Sequence, residues 1–490
     1  MFLTWNGLSL FLSLVILGVV SVIGVPRENK QKLKQTALEW SLGALLSVFF
    51  LWCLFDLEGQ FQLINQIEWG VLSDLGLQWG PLVIALDGVS LFFFILTALL
   101  TPICVLVSWG SIKFLLKEFL VCLFLLELLL VGVFLVLDLV LFYILFEGIL
   151  IPMFFLIGIW GSREEKIKAS YYFFFFTFSG SVFLLFGLFQ IYQATGTIDY
   201  LTLLNIKLPV TTQRWVLLGV FLSFAVKIPQ IPFHIWLPQA HVEAPVAGSV
   251  ILAGILLKLG GYGFIRFSWP LLPSATEYFA PFIIMLGVVA VIYGGLMTCR
   301  QVDFKRLVAY SSVAHMGLVP LGVFTHLISG VVGAVFLMLA HGFVSSALFI
   351  TVTCLYERHH TRLIKYYRGA ALAMPLFAGI TIVLSLTNMG IPLSSSFVGE
   401  FYTLFAGFEY NWIIGALVGS GLIWSAAYSL YLYNRISFGA MTNHLFFMRD
   451  LSRRETHVFI PFIVSIWVFG VCPFWITDSV WNGVLFSPGA

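Results

Sequence analysis

Along this chain, stretches of about twenty apolar residues alternate with short charged clusters, the pattern of helices long enough to cross a bilayer. The apolar runs number about fourteen, centred near Val15, Val48, Leu96, Phe124, Ile149, Leu184, Phe221, Ile255, Val288, Val313, Met338, Ile382, Leu417 and Ile466. Two of them are interrupted. In the seventh, "KIPQIP" sets Pro229 and Pro232 behind Lys227, and in the twelfth, "NMGIPLSSSFVGEF" sets Pro392 ahead of a serine cluster. Proline removes a backbone donor and stops a helix. The pattern predicts an all-α polytopic membrane protein of about 14 transmembrane helices, two of them discontinuous.

Charge orients these helices, because Lys and Arg collect in the loops that are not translocated. Arg27, Lys30, Lys32 and Lys34 follow the first helix; Lys113 and Lys117 the third; Arg163, Lys166 and Lys168 the fifth; Arg300, Lys305 and Arg306 the ninth. The series continues with Arg358, Arg362, Lys365 and Arg368 after the eleventh and Arg435, Arg449, Arg453 and Arg454 after the thirteenth. The opposite side holds only Lys207, Arg214 and Arg266, while Lys227 and Lys258 fall inside apolar runs. Both termini are therefore expected on the side away from the basic loops. Helices four to eight (118–269) and nine to thirteen (279–435) form two groups of five with the broken helix fourth in each. Five is odd, so the second group enters from the opposite face and the pair reads as two inverted five-helix repeats, the arrangement that marks an ion pathway near the midplane. The three N-terminal helices (1–110) and a C-terminal helix (457–490) complete a single membrane domain, 1–490.

Composition narrows the chemistry. At 60% hydrophobic and 10% charged, the chain is far more apolar than a soluble domain. A net charge of +2 gives no broad surface for nucleic acid. The cysteines Cys53, Cys104, Cys122, Cys299, Cys354 and Cys472 lie far apart without CxxC spacing, which leaves iron-sulfur, zinc and disulfide readings without support. No GxGxxG follows a predicted strand, so nothing marks a dinucleotide site. The first apolar run lacks preceding basic residues and reads as a spanning helix rather than a cleaved leader.

The candidate chemistry lies in charges set within the apolar runs. Lys258, in "PVAGSVILAGILLKLGGYGF", is about a dozen residues into its helix, roughly 18 Å deep, and must face the bundle interior or water. Lys227 ends the first half of the broken seventh helix, where freed carbonyls need protein or water around them. Glu147, in "LFYILFEGILIPMFF", is an isolated carboxylate in the fifth helix, with Lys227 as its natural partner. Glu400 answers Lys227 in the second group. His315 in "AYSSVAHMG" and His341 in "LMLAHGFVSSA" lie between Lys258 and Glu400 in chain order and titrate in the range useful for moving protons. Glu127 serves equally as a relay step or a packing hydrogen bonder. His234, His241 and Glu243 cluster at the basic-side end of the broken helix, as an entry point or as loop caps. Lysine rather than arginine at the buried positions favours titration over a permanent pair, since a desolvated lysine can release its proton.

The stretches "HIWLPQAHVEAPVAGSVILAGILLKLGGYG", "AYSSVAHMG", "HGFVSSALF", "LFYILFEGILIPMF" and "SSSFVGEF" resemble the antiporter-like proton-pumping membrane subunits of respiratory complex I, NADH:ubiquinone oxidoreductase. The likeness runs from about Asp87 to Arg435. It implies a fourteen-helix membrane-arm subunit in which Glu147 and Lys227 form a switching pair and Lys258, His315, His341 and Glu400 carry protons. It also implies that this chain binds no cofactor, with NADH, flavin, iron-sulfur clusters and ubiquinone expected in other subunits. Its partners would be other membrane-arm subunits, including antiporter-like neighbours, and membrane lipids. A cation/proton antiporter subunit of the related multi-subunit antiporters is the second reading, and a purely structural scaffold the third. The 50 phenylalanines, whose codons are T-rich, point to an AT-rich organellar gene and hence to the mitochondrial inner membrane, with a bacterial plasma membrane as the other setting.

Overall fold

The computed structural model describes residues 7–56, 61–67, 82–441 and 449–485. The ends of the predicted first and last segments, 1–6 and 486–490, lie outside the described residues. In hydrocarbon every backbone donor and acceptor must be satisfied within the chain, and each apolar run does so as a helix. The series is α1 Gly7–Gly24, α2 Lys30–Leu54, α3 Gly88–Ser111, α4 Leu116–Leu135, α5 Leu139–Trp160, α6 Lys166–Thr195, then the two half-helices of α7, Val210–Lys227 and Trp236–Glu243. It continues with α8 Val246–Leu271, α9 Pro273–Cys299, α10 Phe304–Phe324 and α11 Ile328–His359. The halves of α12 are Pro375–Asn388 and Ser395–Tyr410, followed by α13 Trp412–Ser437, α14 Arg453–Val471 and a short α15 Phe474–Leu485. Twelve of these helices are individually long and apolar enough to span a membrane. The two broken helices bring the crossings to the predicted fourteen, and α15 is additional.

Helices α8, α10 and α11 form the centre of the bundle and are buried along almost their whole length. Around them, α6, α13 and α14 turn large apolar side chains outward, among them Phe175, Phe189, Trp412 and Ile423. Such a surface is a liability in water and ordinary in lipid. Small residues set the tightest approach. A Cβ on Gly260 of α8 would come 2.6 Å from Ile228 Cγ1 and 2.9 Å from Phe224 O, which fixes α8 directly against the break in α7.

Two features depart from what the sequence predicts. Gln62–Ile67 (β1) and Leu82–Leu86 (β2) pair antiparallel between α2 and α3. Strand β2 leads into Asp87, which caps α3 by accepting from Ser90 N at 2.9 Å. The second is a correction. Arg266 belongs to no loop opposite the basic side; it lies inside α8, 8% exposed, because an ion pair with Asp87 lets the helix carry a guanidinium through otherwise apolar surroundings.

Candidate functional site

In α7, the prolines end the helix at Lys227, and the loosened carbonyls find partners inside the protein. Phe224 O accepts from Ile228 N at 2.8 Å, Ala225 O from Gln230 N at 2.9 Å, and Val226 O from the Trp236 indole at 2.9 Å. Lys227 therefore hangs from the free end of a half-helix. Its ammonium is buried and lies 4.4 Å from the centre of the Phe146 ring, a cation–π contact, with no hydrogen bond. Glu147 follows Phe146 on α5, half-buried, with Oε1 unpartnered. No ion pair within 4.0 Å joins Glu147 to Lys227, so the expected switching pair is open and the aromatic ring holds the ammonium beside the carboxylate. Gln230, in the break itself, is fully buried with both amide atoms unpartnered. Sequence reasoning passed over it, although it is the one polar side chain between the two prolines.

Helix α8 reaches Lys258 through a π-helical turn at Leu252–Leu256 and leaves through another at Phe264–Ser268. Such turns widen a helix and concentrate at functional sites. The Lys258 ammonium, wholly buried, donates back to Ala253 O and lies 2.8 Å from His341 Nδ1 on α11. With the ammonium donating, Nδ1 accepts and the ring proton sits on Nε2. The His341 and His315 rings are 5.9 Å apart. On α10, His315 presents Nδ1 to Glu400 Oε1 at 3.1 Å, in ion-pair range but out of line for a hydrogen bond, and Nε2 to the Tyr428 hydroxyl at 3.0 Å. Tyr428 of α13 is a second member that sequence reasoning missed.

Glu400 projects from the second half of α12 toward the break. There Gly390 has a φ of 75°, and a Cβ on it would fall 2.3 Å from Glu400 Oε2. The break is closed by Ser394 Oγ donating to Ile391 O at 2.6 Å and by Ser396 Oγ donating to Thr387 O. Four helices thus align Lys258, His341, His315 and Glu400 in one buried row, with Glu147 and Lys227 as a second group beside the break in α7.

The remaining candidates separate from this row. Glu127 on α4 is buried with both carboxylate oxygens unpartnered. His234 packs near the Tyr293 and Tyr310 rings, 6.1 and 6.3 Å away. His241 stacks on Phe349 at 4.6 Å with neither ring nitrogen bonded. Glu243 pairs with Arg362 at 3.4 Å, and Lys305 Nζ donates to Ala244 O at 2.7 Å, so the basic-side end of α7 is tied to α10 and to the segment after α11. Glu243 thus acts as a loop tie. Among the described residues, no group of three or more His, Cys, Asp and Glu side chains is arranged to hold a metal ion.

Residues 136–424 match the family model described as NADH:quinone oxidoreductase/Mrp antiporter, transmembrane. The chain belongs to this family. Within it, the chain is 68% identical to the NADH-ubiquinone oxidoreductase chain 4 of Metridium senile, over 99% of each sequence, and groups with the chain 4 members. Among solved structures it resembles a chain of respiratory complex I from Thermus thermophilus, with a TM-score of 0.87 and 28% identity, covering 98% of this chain and 100% of that one. A chain of the Mrp complex from Dietzia sp. shares the fold alone, with a TM-score of 0.84 at 18% identity and 97% of each chain covered. In this chain the fold holds both buried groups, the row from Lys258 to Glu400 and the two residues beside the α7 break.

Proposed function

We propose that this chain is the chain 4 subunit of a proton-translocating NADH:ubiquinone oxidoreductase in the mitochondrial inner membrane, and that its buried row carries protons through the bilayer centre. The observation that carries this reading is the row itself: Lys258 Nζ to His341 Nδ1 at 2.8 Å, the two histidine rings 5.9 Å apart, and His315 Nδ1 to Glu400 Oε1 at 3.1 Å. Each member can take up and release a proton, and burying four such groups together costs several kcal/mol that a purely structural bundle has no reason to bear. Electron transfer takes place in other subunits, which hold NADH, flavin, iron-sulfur clusters and ubiquinone; this chain binds none of them. Redox work there reaches this subunit as a change in the separation of Glu147 and Lys227. An ion pair at about 4 Å carries about 4 kcal/mol of Coulomb energy at an effective dielectric of about 20, so making or breaking that contact shifts the proton affinity of Lys227, the change to which the row from Lys258 responds. Neighbouring membrane-arm subunits and lipids cover the outward apolar faces.

The test uses the assembled complex in liposomes. Lys258→Met is expected to leave assembly intact and abolish most NADH-driven proton uptake through this subunit. Wild-type pumping in an assembled Lys258→Met complex would overturn the proposal. Cation transport without electron transfer would instead favour the antiporter reading.

A further inference from the structure

The second π-helical turn of α8 directs a buried cation at the end of the helix away from the basic loops. Lys258, Tyr262 and Arg266 follow at intervals of four residues, and the extra residue accommodated in Phe264–Ser268 brings Arg266 back toward the face that carries Lys258, roughly 12 Å along the axis. Arg266 Nη2 meets Asp87 Oδ1 at 3.0 Å, and Nε donates to the Tyr262 hydroxyl at 3.3 Å. That hydroxyl donates to Phe134 O at 2.9 Å, and the Asp87 carboxylate also accepts from Ser90 N at 2.9 Å. The guanidinium lies under the Phe61, Tyr200 and Tyr262 rings at 4.9, 5.3 and 5.8 Å. Asp87 begins α3, Phe134 ends α4, Phe61 precedes β1 and Tyr200 lies in the segment between α6 and α7, so four separate stretches of chain close around one side chain of α8.

We infer that the Asp87–Arg266 pair with its ring of aromatic side chains is the stop that closes the Lys258 end of the row to the side opposite the basic loops, so that protons leave laterally toward Glu400. The inference rests on the proton-carrying reading of the row. Past Tyr262 the next polar side chains of α8 are Arg266 itself and the buried Ser268, whose hydroxyl has no hydrogen-bond partner and lies beyond the pair. Arginine does not release its proton in a protein, Asp87 Oδ1 is held by both Ser90 N and Arg266 Nη2, and the Tyr262 hydroxyl is spent on a carbonyl. The guanidinium is neutralised by Asp87, so it blocks by holding its own protons rather than by its charge.

The measurement is passive collapse of a preset pH gradient across liposomes holding the whole complex, with no NADH and with potassium and valinomycin clamping the voltage. Arg266→Gln is expected to accelerate the collapse several-fold, and Arg266→Gln combined with Lys258→Met to return it to the wild-type rate, since the leak must pass through Lys258. A leak that persists in the double variant, or none in Arg266→Gln, overturns the inference. Should Arg266→Gln fail to assemble, Arg266→Lys keeps a cation and the pair but supplies a proton that can be released; a faster collapse then supports the stop and an unchanged one overturns it. Because the readout needs no turnover, failure here is distinct from failure of pumping in Lys258→Met alone.

Discussion

At Gly390, a φ of 75° and a Cβ position 2.3 Å from Glu400 Oε2 both select against a side chain. Gly390→Ala would carry about 1 to 3 kcal/mol of backbone strain and push the carboxylate away from His315. The expected result is an assembled complex whose protons pumped per electron pair fall, read from NADH oxidation and proton uptake together; an unchanged ratio would remove Glu400 from the row. At Tyr428, the hydroxyl on His315 Nε2 is worth about 1 kcal/mol, so Tyr428→Phe should slow pumping by roughly fivefold at most without loss of the subunit. The titratable residues were legible because a charge inside a twenty-residue apolar run stands out by composition alone. Their adjacency was not, since the contacts join four different helices and no spacing within one helix encodes a distance to another. Tyr428 and Gln230 escaped notice for a related reason: a tyrosine or glutamine near an apolar run draws attention only when the partner across the interface is known.

Among the elements, the apolar runs fixed the helices because bilayer thickness dictates their length, and the prolines located both breaks because a missing donor cannot be compensated by lipid. The hairpin was invisible: "QLINQI" has too few apolar positions to display a strand period, and β2, "LVIAL", reads as the approach to a helix. Arg266 was misplaced because a charge close to the end of an apolar run looks like the start of a loop when its partner, Asp87, is remote in sequence. The break in α7 survives burial because Gln230 N takes Ala225 O, the carbonyl that Pro229 leaves without a donor, and Trp236 takes Val226 O, which Gln230 N thereby gives up. Trp236→Phe keeps the ring but leaves Val226 O without that donor, at a cost of about 1 to 3 kcal/mol. The expected outcome is earlier thermal release of this subunit from the solubilised complex, and equal thermal stability would show that the indole is dispensable as a cap.

For the whole molecule, alternation of the basic loops sets the sidedness on which any direction of transport depends. Lys113 and Lys207 are both exposed and fall on opposite faces in this reading. Cysteines introduced as Lys113→Cys and Lys207→Cys should react with an impermeant maleimide from opposite sides of intact inner-membrane vesicles; labelling from one side would invert half of the topology. With five crossings between corresponding helices, α7 and α12 run in opposite directions, each broken near the level of its charged residue. The two groups of five are read as inverted repeats on that basis.

The break in α7 also makes its two lysine neighbours mechanically unequal. Lys258 is carried on a helix that runs unbroken and buried through the bundle, so only its side chain is free to rearrange. Lys227 sits at the tip of a severed lever, where a few degrees of rocking about the far end would sweep the charge between ring and carboxylate, so under the proposed mechanism two prolines that cut one helix and spared the next divide trigger from anchor.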